Sequence, residues 1–231
     1  FRPGHYVVRE ILPEGYQQSP SQFSSDAYYG SAYNGSGQTQ MVVIDPATGN
    51  AHTLGGLMGT ALDGLVVTHD GSIYGMNGAD SSLYAVDPTT GLATKIGPSG
   101  FELGYGLAYD RATDTIYGIG RTGPSDPVMR LMVFDRTTGA ATAIGPGIRG
   151  MNATSSMAFD IPNGRIIAFD NRDDEYYAFD TAGRATRLSV AASPVESWAS
   201  AHNGQSLVQA DSTGFYLNYV DPATGAQVGQ L

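Results

Sequence analysis

The 231 residues include no cysteine, one lysine (Lys95), one tryptophan (Trp198) and four histidines. Without cysteine there are no disulfides, no thiolate metal sites and no cysteine nucleophile. With so few bases against 22 acidic side chains the net charge is −10. The clustered Lys and Arg that hold nucleic acid are therefore missing, and anionic membrane surfaces are disfavoured for the same reason. No apolar run approaches the roughly 18 residues a membrane-spanning helix needs, so membrane insertion is not expected. His5, His52, His69 and His202 show neither H-x-H nor H-E-x-x-H spacing, which speaks against zinc. The absence of a G-x-S-x-G elbow removes an α/β-hydrolase mechanism.

What the chain does have is 31 Gly, 12 Pro and 10% aromatic residues. That is too apolar for a disordered chain and too rich in glycine for a helical bundle, which leaves turn-dense β structure. Of the acids, 17 are Asp and 5 are Glu. Asp is a turn residue whose short carboxylate bonds nearby backbone amides, so much of the negative charge is accounted for by turns rather than by cations.

A repeat organises the chain. Met41-Val-Val-Ile-Asp45-Pro-Ala-Thr-Gly49, Leu83-Tyr-Ala-Val-Asp87-Pro-Thr-Thr-Gly91, Leu131-Met-Val-Phe-Asp135-Arg-Thr-Thr-Gly139, Tyr176-Tyr-Ala-Phe-Asp180-Thr-Ala-Gly183 and Leu217-Asn-Tyr-Val-Asp221-Pro-Ala-Thr-Gly225 follow one plan, their aspartates 42, 48, 45 and 41 residues apart. Each reads as a strand ending in a turn: Asp accepts backbone N–H bonds, Pro presets φ, and Gly takes the left-handed position. Between these hairpins lies a second strand pair, as in Gly64-Leu-Val-Val with Ser72-Ile-Tyr-Gly-Met, or Gly106-Leu-Ala-Tyr with Thr115-Ile-Tyr-Gly-Ile. Four antiparallel strands per unit of this length predict propeller blades, with strands A to D running outward from the axis. The expectation is an all-β, five-bladed β-propeller forming a single domain over 1–231. Its blades fall at about 5–55, 64–97, 106–145, 156–189 and 197–231. The first is the least defined, because its A strand must come from residues 5–11, which alternatively form an added outer strand.

These units resemble the secreted bacterial propellers built on Y-x-x-D-P-x-T-G repeats, akin to the YVTN and PQQ-like repeat families, over about 40–231. The resemblance implies a propeller fold with varied functions: surface binding, scaffolding, and occasionally hydrolase, lyase or isomerase chemistry at the axis. Together with a chain that opens on Phe1, it makes a secreted or periplasmic bacterial protein the expectation.

Two G-x-G-x-x-G strings, Gly118–Gly123 and Gly145–Gly150, are set among prolines and followed by strand patterns, which argues against a dinucleotide site. The acidic run Asp170–Glu175 is read first as a solvated loop. Asp173, Asp174 and Glu175 are the residues that calcium, the one cofactor considered, would use. More informative are the positions where the copies depart from their shared plan. Ahead of strand A the equivalent pairs are Asp63-Gly64, Tyr105-Gly106, Ser155-Ser156 and Glu196-Ser197. The D–A and B–C loops share one mouth of a propeller's channel, where ligands bind. Asp63 and Glu196, with Tyr105, are the candidates for proton transfer, since converging carboxylates raise each other's proton affinity. Glu102, Arg149, Ser155 and Trp198 are the candidate ligand contacts. The expected partner is a small molecule, glycan or protein bound at this mouth. Alternatively, the protein is an enzyme of hydrolase, lyase or isomerase type. A more ordinary reading has the channel filled by water and polar side chains bonded to one another.

Overall fold

A computed structural model describes residues 28–33, 38–45, 47–151, 154–191, 197–202, 207–211 and 217–230. They form five antiparallel sheets. The first holds β1 (Tyr28–Tyr33), β2 (Thr39–Ile44) and β3 (Ala51–Leu57); the second β4 (Gly64–Val67), β5 (Ile73–Asn77), β6 (Ser82–Val86) and β7 (Ala93–Pro98); the third β8 (Glu102–Asp110), β9 (Thr115–Arg121), β10 (Val128–Phe134) and β11 (Ala141–Arg149). The fourth holds β12 (Thr154–Asp160), β13 (Arg165–Asp170), β14 (Glu175–Asp180) and β15 (Ala185–Val190), and the fifth β16 (Ser197–His202), β17 (Leu207–Asp211), β18 (Leu217–Asp221) and β19 (Ala226–Gln230). In every sheet each strand pairs with its neighbour in sequence, as a meander closed by hairpins must. The chain is an all-β propeller of four-stranded antiparallel blades. In the first sheet the three strands match the expected B, C and D strands, and residues 5–11 lie outside the described residues.

The hairpin turns form as their chemistry dictates. The Oδ1 atoms of Asp45, Asp87, Asp135, Asp180 and Asp221 accept the N–H of the residue two positions on, at 2.7–3.0 Å. These bonds favour the ionised form, so the Asp45, Asp87, Asp135 and Asp180 carboxyls titrate below their ordinary range. Gly49, Gly91, Gly139, Gly183 and Gly225 all have φ of 71–77°, a conformation in which a Cβ would be strained.

The same turns join the blades. The Gly56 amide donates to the Thr90 carbonyl, and the Ala93 and Ala141 amides donate to Met58 and Ser99 of the preceding sheet. A Cβ on Gly91 would lie 2.8 Å from the Gly56 carbonyl oxygen, and equivalent overlaps arise for Gly139 on Gly97, Gly183 on Ile144 and Gly225 on Val190. Gly91, Gly139, Gly183 and Gly225 are thus needed twice, for their backbone angle and for their close seat on the outermost strand before them.

Inner strands run side by side from β4 to β8 to β12 to β16, and their apolar side chains fill the seams. Val66, Met76 and Leu83 meet Leu107, Ile116 and Phe134 between the second and third sheets. Ile119 and Leu131 meet Ile166 and Phe179 between the third and fourth. Because both blade faces are covered, β9 and β13 are buried almost continuously, while β3 and β19 at the rim are largely exposed. Each fully buried large apolar side chain contributes about 1.5–3 kcal/mol. Tyr28 of β1 has its phenol pushed up by burial and by Tyr219 of β18, so the first and last sheets are neighbours.

The third blade departs from its expected limits of 106–145. It begins at Glu102 and ends at Arg149, because an irregular strand pair continues past the regular repeat. No helix among the described residues is long and apolar enough to cross a membrane.

Candidate functional site

At the mouth ends of the inner strands the pairing breaks. In β8, Leu103 faces Gly120 and Leu107 faces Gly118, so Gly104, Tyr105 and Gly106 stand opposite Ile119 alone. In β12 the register slips between Thr154 and Ser156, and in β16 between Ser197 and Ser200. The pairing of β4 with β5 is regular. Tyr105, Ser155 and Trp198 therefore all occupy bulges at the same end of successive strands, rather than loops ahead of them. Bulges of this kind re-aim side chains and concentrate beside active sites.

The β8 bulge turns Tyr105 outward, leaving it 42% exposed, and lays its ring on Gly78 in the turn between β5 and β6. A Cβ on Gly78 would lie 2.7 Å from Tyr105 Cε1 and 3.3 Å from Asp63 Oδ2. The ring edge and the carboxylate thus meet across one glycine. Asp63 is placed by its own amide, which donates to the Met76 carbonyl at 2.8 Å. Its Oδ2 accepts the Gly78 amide at 2.7 Å. Burial raises the proton affinity of this carboxyl, and the Gly78 bond only partly opposes the rise. The floor of the site is rigid: Asn77 Oδ1 accepts the Ala79 and Asp80 amides, and its Nδ2 donates to Thr60 Oγ1 at 3.0 Å.

Asp63 and Tyr105 are brought together as their sequence positions suggested. Glu102 is on the same strand but is held by Arg121, which faces it across the β8–β9 pair. Arg149 ends the outermost strand β11, opposite Val128, so three strand spacings, about 14 Å, separate it from β8. Ser155 and Trp198 are placed by strand position alone. Glu196 lies outside the described residues, so the expected Asp63–Glu196 pair does too.

The Asp170–Glu175 loop forms no cation cage. Glu175 is engaged by Tyr177 Oη and Arg187, Asp170 accepts the Arg172 amide at 3.0 Å, and Asp174 holds a left-handed turn position at φ 54°. Among the described residues no three His, Asp or Glu side chains gather as a metal would require. Both G-x-G-x-x-G strings open within strands β9 and β11, and neither leads into a helix. His52 lies on β3 and His69 in the turn after β4, as expected.

Two features had weak sequence signals. Gly78 is one glycine among 31. The other is a network at the opposite end of the β4–β8 seam. There Tyr109 Oη donates to Asp114 Oδ1 and lies 2.7 Å from His69 Nδ1, while the His69 amide donates to Tyr109 Oη at 3.2 Å. Arg136 binds Asp114 and lies over the Tyr74 ring, 5.8 Å from its centroid. Tyr109, Asp114 and Arg136 all belong to the third blade, and His69, 40 to 67 positions earlier in the chain, joins them only once the second blade is stacked on it.

No protein-family model and no curated protein matches the sequence. Solved structures of similar shape include a nidogen/laminin complex (TM-score 0.58, 11% identity, 84% of this chain and 72% of that one). Virginiamycin B lyase from Staphylococcus aureus matches at TM-score 0.54 and 11% identity, over 90% and 70% of the two chains. Glutaminyl cyclase from Myxococcus xanthus matches at TM-score 0.51 and 17% identity, over 73% and 69%. These neighbours include a lyase, a cyclase and a protein-binding complex. At such identities the likeness is one of fold, and a shared fold carries no activity with it.

Proposed function

We propose that the chain is a five-bladed propeller. In this reading it binds a small molecule or glycan end at the mouth formed by the bulges of β8, β12 and β16. Secretion is part of the proposal. The observation that carries it is the meeting of Asp63 and Tyr105 across Gly78. A half-buried carboxyl with raised proton affinity and an outward aromatic ring adjoin at one point of a surface whose repeat-turn carboxylates, Asp45, Asp87, Asp135, Asp180 and Asp221, are filled by backbone amides. Preformed sites combine an apolar platform with a few placed polar groups in this way.

The test is a titration of the 15N-labelled protein with a library of mono- and disaccharides and small metabolites, read as amide shifts. Binding at the mouth shifts Gly78 and its neighbours, and the Gly78→Ala variant abolishes the shift. Ligands that instead move resonances around His69 and Asp114 would overturn the assignment.

A catalytic reading is favoured by one observation, the raised proton affinity of Asp63 beside a phenol, which suits general acid–base work. On that reading Glu196 is its partner. Turnover of a lyase, cyclase or glycosidase substrate would follow a pH profile with a limb that disappears in Asp63→Asn.

A further inference from the structure

We propose that the Asp63–Gly78–Tyr105 site selects a primary ammonium group, held between the Asp63 carboxylate and the Tyr105 ring. This rests on the mouth being the binding site and names the ligand chemistry it takes.

The argument is one of unmet charge. Asp63 Oδ2 has the Gly78 amide, and among the described residues no donor reaches Oδ1. Among the described residues no ion pair involves Asp63: Lys95 goes to Asp80, Arg121 to Glu102, Arg130 to Asp126 and Arg136 to Asp114, while Arg149 stands at the end of an outermost strand. Among the described residues the carboxylate thus has an open acceptor, partial burial and no ion-pair partner. An N–H⁺ donor satisfies all three conditions, through a charge-assisted bond to Oδ1. A neutral hydroxyl satisfies only the first. The ring beside it is electron-rich on its face and 42% exposed, so it offers a cation a second attraction within reach of the first. A chelated metal ion is a poorer fit, since hard cations need several oxygens and the described residues offer one free carboxylate here. The net charge of −10 draws cations to the surface and repels anions.

The ammonium could belong to an amino sugar or to a lysine side chain, and paired probes separate them. Glucosamine is compared with glucose, and Nα-acetyl-lysine methylamide with its norleucine counterpart, each titrated into the whole protein at pH 7 with the Gly78 amide as reporter. In at least one pair the charged member binds about tenfold or more tighter than its neutral isostere. That preference is lost in Asp63→Asn and reduced in Tyr105→Leu, both checked for an unchanged thermal midpoint and amide spectrum. Should Asp63→Asn fail to fold, Gly78→Ala, which pushes the ring from its seat, serves as the second variant. Equal binding of charged and neutral members overturns the ammonium while leaving the mouth site standing. So does silence from both charged probes while other library ligands still shift Gly78. If the preference survives in Asp63→Asn, the assignment to this carboxylate is wrong.

Discussion

The two ends of the seam between the second and third blades carry the same kinds of group, a tyrosine and a carboxylate, in opposite states of saturation. At the far end Asp114 is ionised, its carboxyl held low by the Tyr109 hydroxyl and by Arg136. The single Tyr109 proton therefore goes to Asp114. With its oxygen turned to His69 at 2.7 Å, Tyr109 needs a proton on Nδ1, which fixes the imidazole tautomer. Every near polar group there has a partner in the adjoining blade. At the mouth, Asp63 has one amide and the Tyr105 hydroxyl reaches none of the groups around it by a described bond. Saturation marks the end that locks blades together, and shortage of one partner marks the end where a ligand is proposed to bind.

That contrast can be broken at graded cost. In the middle of the seam, Leu107→Ala leaves a cavity among Val66, Leu83 and Phe134 and lowers unfolding free energy by about 2–5 kcal/mol, measured by denaturant titration. Next comes the far end: Tyr109→Phe strands the His69 donors and one Asp114 acceptor, with a loss of about 1–3 kcal/mol. The matching change at the mouth, Tyr105→Phe, stays within about 0.5 kcal/mol. A loss as large as that of Tyr109→Phe would show that the mouth is structural after all.

The smallest effects are in pH dependence, and there the signs should oppose. The Asp63 carboxyl is raised in the fold, so its contribution is present below the ordinary value of 3.8 and is lost as pH rises through the raised value. Asp63→Asn should gain on the wild type in thermal midpoint as pH climbs from 3.8. Asp70 is lowered to about 2, first by the Thr68 hydroxyl and then by the Ser72 amide. Its contribution is present above 3.8 and lost as pH falls through about 2, so Asp70→Asn should trail the wild type at neutral pH and converge with it in acid. Parallel slopes for the two variants would remove the distinction between the ends.

The fold was largely legible because its signals are local. An Asp-Pro-x-Thr-Gly turn makes its own bonds within five residues, so the five hairpins and the strands around them follow from sequence. The mouth was partly legible, since Asp63 and Tyr105 stand out by comparison among copies of the repeat. The bulge that aims Tyr105 was not, because it depends on Gly104–Gly106 crowding opposite one residue of β9. Gly78 and the His69–Tyr109–Asp114–Arg136 network escaped for a related reason. The contacts that complete them, Tyr105 on Gly78 and His69 on Tyr109, cross between blades, and no spacing along the chain encodes a contact that stacking creates. Arg149 ends the outer strand of its blade, which runs on past the regular repeat to reach it.

The glycine turns that rest on the strand before them have a bearing on how such a chain can grow. Each of the three middle units brings both a plug and the socket for the next plug, and neither depends on the unit's serial number. Duplicating one stretch of about 41–48 residues would insert a working joint at both of its borders, leaving the remaining joints as they were.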